Sequence, residues 1–456
     1  MTPSDSVDLV VRGGKIVSST GIVSAGVVVR DGTIVAIALD EALPEGRETI
    51  DATGRYILPG VIDPHVHFRS PGYEYKEDWA TGTAAAACGG VTTVFEMPNS
   101  DPPTATVDAL RLKQQIAARD AHVDYALYGL LAQHNLTDLA GLAAHGVIGL
   151  KCFMGNNPIG HIDDGALLEG FEIAARLGLR VAVHAENATI IERGTHRLRS
   201  SGRCDPLAHL ESRPSVCAVD AVDRAIAFAE AAGAQLHIAH ESCKDTLPII
   251  RMAKARGVRV TAETCPHYLL LTADDMKRVG SVLRVNPPVR EAGHDEALWT
   301  ALADGTIDML ATDHAPHAVS EKTGNDIWKC VSGFGGLETA MPLLLTEVNR
   351  GRITLQQYVT WSSLVPAMVW GLYPTKGAIR VGADADLVIV DLERDDILRG
   401  ERFRSKSKIT PFEGMRTKGS PVCTIVRGRV VMRNGQLEGR PGWGRLITPH
   451  KGQHRS

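Results

Sequence analysis

No stretch of the 456 residues is long and apolar enough to span a membrane. The opening "MTPSDSVDLVVRGGK" also lacks the charged-then-apolar pattern of a secretory signal. Neither sign of charge is in excess: 49 Lys and Arg face 53 Asp and Glu, a formal net charge of -4. That balance leaves no electrostatic footprint for nucleic acid, and the basic cluster "RFRSKSK" beginning at Arg402 reads as a solvated loop. The eight cysteines include no CxxC pair, which argues against a disulfide framework and for reduced, mostly buried thiols. A Gly-rich phosphate loop is missing too, since "SGFGGLET" does not follow the first strand of an α/β unit. These absences predict a cytoplasmic protein without membrane or nucleic-acid partners.

Hydrophobic residues make up 44% of the chain, enough for a large core. Both ends read as short strands with tight turns, including Asp31-Gly32 and Asn434-Gly435 between alternating apolar runs. Each end is too small to build a core alone, so residues 1–57 and 373–444 are expected to form one small β-sandwich domain. The polar stretch 445–456 is expected to be a mobile tail. Between them, residues 58–372 alternate β-rich runs with amphipathic helical stretches. The runs are "GVIDPHVHF", "VTTVFEM", "VDYALYGLL", "VIGLKCFM", "LRVAVHAE", "QLHIAHES", "RVTAETCP" and "DMLATDHAPH". Eight β-then-α units predict an α/β fold, a (β/α)8 TIM-like barrel.

The ends of these strands carry residues that a core avoids. The first ends in His65 and His67, whose spacing of two puts both on one face. The fourth carries Lys151, the fifth His184, the sixth His240 and the eighth Asp313. Any one alone reads as a hydrogen-bonded structural residue. Six at the same ends of five strands, where barrel active sites lie, point to a metal centre. Four imidazoles and a carboxylate suit one or two zinc ions. Lys151 joins them if its neutral amine takes up carbon dioxide, giving a carbamate able to bridge two ions. Such a centre, two Zn2+ bridged by carboxylated Lys151 and a hydroxide, activates water and polarises a carbonyl. Asp313 would then be the catalytic general acid/base that passes a proton to the leaving nitrogen. The predicted chemistry is hydrolysis of an amide-like bond.

The His-x-His strand, the lysine of the fourth strand, two later histidines and a final aspartate resemble the amidohydrolase superfamily. Within it, the chain is similar to the cyclic amidohydrolases: dihydroorotases, allantoinases and dihydropyrimidinases or hydantoinases. The resemblance covers nearly the whole chain and implies a homo-oligomer, a dimer or tetramer. For the substrate, the resemblance to dihydroorotases implies a carboxylate-binding Arg69, with Asn99 in "MPN", Asn286 in "RVNPPVR" and His317 as further substrate contacts. The loop "NDIWKCV" and Ser332-Gly333, where dihydroorotases carry Phe-Gly, look more like allantoinases and hydantoinases. No Tyr follows Lys151 in "KCFMGNN", unlike hydantoinases. On these residues a dihydroorotase, interconverting dihydroorotate and N-carbamoyl-aspartate in pyrimidine biosynthesis, is the leading expectation. An allantoinase or hydantoinase is the alternative, and a catalytically inactive scaffold comes third because all six candidate ligands are present. His237 reads as a core or supporting residue, and His267 as an orienting or packing one.

Overall fold

The computed structural model describes residues 7–155, 159 and 162–450. Its centre is an eight-stranded parallel sheet. The strands are Val61–Val66, Val91–Glu96, Asp124–Leu131, Gly149–Phe153, Arg180–His184, Gln235–Ile238, Val260–Thr264 and Met309–Leu310, neighbours in chain order. All eight fall within the runs read from the sequence. Val66 bridges His314 in parallel, and His67 N–H donates to His314 O at 2.7 Å, which joins the eighth strand to the first. The sheet thereby curls into a (β/α)8 barrel.

Helices cover its outside because their apolar stripes match the sheet's outer face. In Asp164–Leu177 the inward residues Leu167, Phe171 and Ala174 are buried. Asp163 caps the helix start by accepting from Ala166 N–H, and Gly178 ends it at φ 71°, a left-handed value that glycine tolerates. Inside the barrel, Phe95, Tyr128 and His237 pack edge-on around Trp370, with ring centroids 5.4–5.8 Å from it. These rings fill the barrel interior, and the C-terminal ends of its strands line a cavity.

Both termini build the β domain, as expected. A four-stranded sheet comes from the N-terminal part alone, whereas a seven-stranded sheet mixes strands from both ends. Both turns expected from the sequence are present: Asp31 and Gly32 have φ 51° and 76°, Asn434 and Gly435 φ 49° and 78°, the values a two-residue hairpin needs.

Two expectations are corrected. The stretch 445–450 is not a mobile tail: Tyr125 N–H donates to Arg445 O, Ile447 N–H to Tyr125 O, and His450 N–H to Gly371 O. Ile447 is buried against Tyr128 and Trp370, apolar contact that a polar average conceals. Residues 451–456 lie outside the described part. The "RFRSKSK" loop is not simply solvated either. Glu338 accepts from the N–H groups of Arg404 and Ser405, Ser405 Oγ donates to Glu77, and Lys406 pairs with Asp78 at 2.6 Å. No helix among the described residues is long and apolar enough to cross a membrane.

Candidate metal centre

Barrel closure brings the six strand-end residues to one floor. Ligand atoms of His65, His67 and Asp313 lie within 4.8 Å of one another, in a buried group that could hold a metal ion. Asp313 Oδ1 is 3.3 Å from His65 Nε2 and 3.1 Å from His67 Nε2. Beside them, His184 Nδ1 and His240 Nε2 converge to 2.9 Å. The four rings form a row: centroids are 5.3 Å apart for His67–His65, 5.0 Å for His65–His240 and 4.7 Å for His240–His184. Lys151 completes the floor, fully buried, its Nζ without a hydrogen-bond partner and 5.4 Å from the Phe153 ring centroid.

The charge states follow from burial. Desolvation lowers His67 to about 3 and pushes His240 well below the usual range, so both imidazoles stay neutral with lone pairs free. Burial alone would raise Asp313, but His65 and His67 outweigh it and hold the carboxyl down near 2. Burial lowers the Lys151 ammonium to about 8, against the pull of Glu263 and Asp313, so a neutral amine is within reach near physiological pH.

Two carboxylates that the sequence reading did not single out orient this floor. Glu263 accepts from His65 Nδ1 at 2.5 Å, and Glu186 lies 2.8 Å from His184 Nε2. Their only signal in the sequence is an acid in an apolar strand ("TAETC") and one just after a strand-end histidine ("VAVHAEN"). Strain collects here as well: Arg69, His240 and Asp313 have φ of 62°, 39° and 47°, a region that residues other than glycine adopt at a cost of about 1–3 kcal/mol each.

Above the floor lies a cavity of about 500 Å3, walled by Arg69, Asn99, Asn286 and His317, all four candidate substrate contacts. The Oδ1 atoms of Asn99 and Asn286 are buried without partners. Arg69 is already engaged, with Nε donating to Pro316 O at 3.3 Å and Nη2 lying 3.1 Å from His317 Nε2. His317 also touches Ser332 O at 3.0 Å and Lys76 Nζ at 3.3 Å; burial, then Arg69 and Lys76, keep it neutral. Tyr73, Lys76, Arg213 and Arg284 line the same cavity and were not singled out in the sequence. His237 and His267 are both buried. His267 packs on Tyr268 and Phe334, and burial lowers it to about 4.

Residues 56–431 match the amidohydrolase family model. The chain belongs to the amidohydrolase family. This amidohydrolase is 40% identical to an allantoinase of Rubrobacter xylanophilus, over 97% of its own length and 98% of the relative's. It superposes on the structure of an L-hydantoinase (dihydropyrimidinase) from Arthrobacter aurescens with a TM-score of 0.94 and 38% identity, covering 97% of this chain and all of that one. A dihydroorotase of Bacillus caldolyticus is 38% identical over 90% of this chain and 94% of the relative. The amidohydrolase is thus a cyclic-amide hydrolase, and the preference for dihydroorotate drawn from single residues is not upheld. Similarity to the allantoinase and the hydantoinase runs further along the chain.

Proposed function

We propose that the protein opens the ring of an uncharged cyclic ureide of the hydantoin or allantoin class, at a centre of two zinc ions. The observation that carries the hydrolysis is the floor itself: a buried lysine amine with no partner, beside a group of converging imidazole and carboxylate atoms and a second pair of imidazole nitrogens. An unpaired ammonium would be costly there, whereas a carbamate on Lys151 turns it into an anionic ligand. His65, His67 and Asp313 would hold one ion and His184 and His240 another, with Lys151 as a further ligand once it carries the carbamate. When bound, the ions supply Lewis-acid polarisation of the ring carbonyl and lower the pKa of water.

The remaining roles fall to side chains. Asp313, held ionised, takes a proton from the attacking water and delivers it to the ring nitrogen as the C–N bond breaks. The free Oδ1 atoms of Asn99 and Asn286 and the neighbouring Ser332 backbone orient the ring amides. The choice of an uncharged ring is supported by the extent of similarity to the allantoinase and hydantoinase, and by the engagement of Arg69 with Pro316 and His317 of the loop after the eighth strand.

Dihydroorotate is the second candidate, favoured by Arg69, Asn99, Asn286 and His317 facing one cavity. Turnover of hydantoin, allantoin, dihydrouracil and dihydroorotate by the zinc-loaded protein, alongside Arg69→Met, separates the two. Hydantoin or allantoin should be preferred, with Arg69→Met retaining turnover within about threefold. Preference for dihydroorotate, with a loss of about 100-fold or more in Arg69→Met, would replace this proposal by the second.

A further inference from the structure

One carboxylate touches both halves of the centre. Glu263 lies at the end of the seventh strand, fully buried, and faces inward like Thr261 two residues before it. Its Oε1 accepts from His65 Nδ1 and, at 3.1 Å, from the backbone N–H of His240; its Oε2 is 3.1 Å from His237 Nε2. His65 belongs to the first group of ligand atoms and His240 to the second. They are 175 positions apart in the chain, and Glu263 reaches each from a third strand.

Each contact constrains one feature of the centre. An ionised carboxylate accepts and never donates, so His65 carries its proton on Nδ1 and turns the lone pair of Nε2 toward His67 and Asp313. His240 has φ 39°, and the bond from its N–H to Glu263 is among those that hold this backbone. The far oxygen is braced from below. His237 Nδ1 bonds Thr261 Oγ1 at 2.9 Å, and its ring packs on Trp370, 5.4 Å between centroids. His237 therefore serves Glu263, with no approach of its own to the cavity.

We propose that Glu263, braced by His237, is a positioning residue: it sets the tautomer of His65 and the backbone of His240, and thereby registers the two halves of one dinuclear centre. This rests on the metal reading above and goes beyond it. Glu263→Gln is the informative variant, because the amide is isosteric. Its oxygen can still accept from His65 and His240, and its NH2 can face His237 in the other tautomer. What it removes is the charge and the obligation of His65 to keep its proton on Nδ1.

The test uses the full chain stripped of metal. It measures zinc affinity by chelator competition, the visible absorption of the cobalt-loaded protein, and the melting temperature of the apoprotein. Glu263→Gln should weaken zinc binding by about 10- to 100-fold and alter the cobalt spectrum, while the apoprotein melts near wild type. Affinity within twofold of wild type with an unchanged spectrum would overturn the role. If Glu263→Gln gives no folded apoprotein, the same titration on Glu263→Asp decides, since it keeps the charge and shortens the reach. Weakened binding supports the role there, and wild-type affinity overturns it. A wild-type protein that binds no zinc would overturn the metal reading and this role together. Wild-type binding matched by the variants overturns the role of Glu263 alone.

Discussion

Each imidazole on the barrel floor has two nitrogens, and which one faces the centre depends on what holds the other. Glu263 takes Nδ1 of His65, so Nε2 points inward; Glu186 takes Nε2 of His184, so Nδ1 does. Strand-end histidines are easy to find in a sequence, whereas their carboxylate partners are not, because buried acids in strands have no spacing rule. Lys151 was legible for the opposite reason: a lysine in an apolar run is conspicuous, and the structure leaves its Nζ buried and unpartnered. Replacing it tests the site at this scale. Lys151→Ala should lose bound metal and at least about 100-fold in turnover, with partial return on adding acetate or propionate. Metal analysis beside kinetics checks this, and retention of both ions would count against a bridging carbamate.

Among the elements, the segment after the eighth strand is held in an unusual way. Lys322 is fully buried, and its Nζ donates to the backbone carbonyls of Arg284 and, at 3.1 Å, Val331. Arg284 in turn donates to Ile327 O and Cys330 O, and Trp328 Nε1 to Arg203 O at 2.7 Å. Lys322, Arg284 and an indole thus hold the stretch Cys330–Gly333, which walls the cavity. Lys322→Met uncaps two carbonyls and loosens that wall. KM should rise about tenfold, with kcat and metal content less affected. An unchanged KM in steady-state kinetics would show that the wall holds without Lys322. The sequence pointed to this loop as a mark of substrate class but could not show how it is held, since backbone carbonyls leave no trace in residue identity. The barrel strands, by contrast, were all legible, because fully buried parallel strands read as short apolar runs between helices.

For the whole molecule, the barrel and the β domain are locked by charge. Lys376 Nζ lies 2.8 Å from Asp124 at the base of the third strand, 2.5 Å from Asp386 and 3.1 Å from Asp384. Arg427 and Arg445 also pair with Asp124. Burial works against the Lys376 charge, but the three carboxylates outweigh it and raise its pKa. Lys376→Met would leave the buried Asp124 and Asp386 and the partly buried Asp384 short of a cation. It should destabilise the protein by about 3–5 kcal/mol, seen as a lower melting temperature with metal ligands untouched; a melt like wild type would show the arginines suffice.

What the sequence determined by itself was local or periodic: eight apolar runs, two hairpin turns, and chemically expensive residues at strand ends. A parallel barrel gathers those ends on one rim whatever the loops do, so the floor could be named before it was seen. Tertiary structure alone decided the rest. Glu263 meets His65 across 198 positions, Lys322 caps carbonyls, Ile447 seats the tail and Arg69 is engaged by the loop after the eighth strand, because contacts between distant residues form only when the barrel closes.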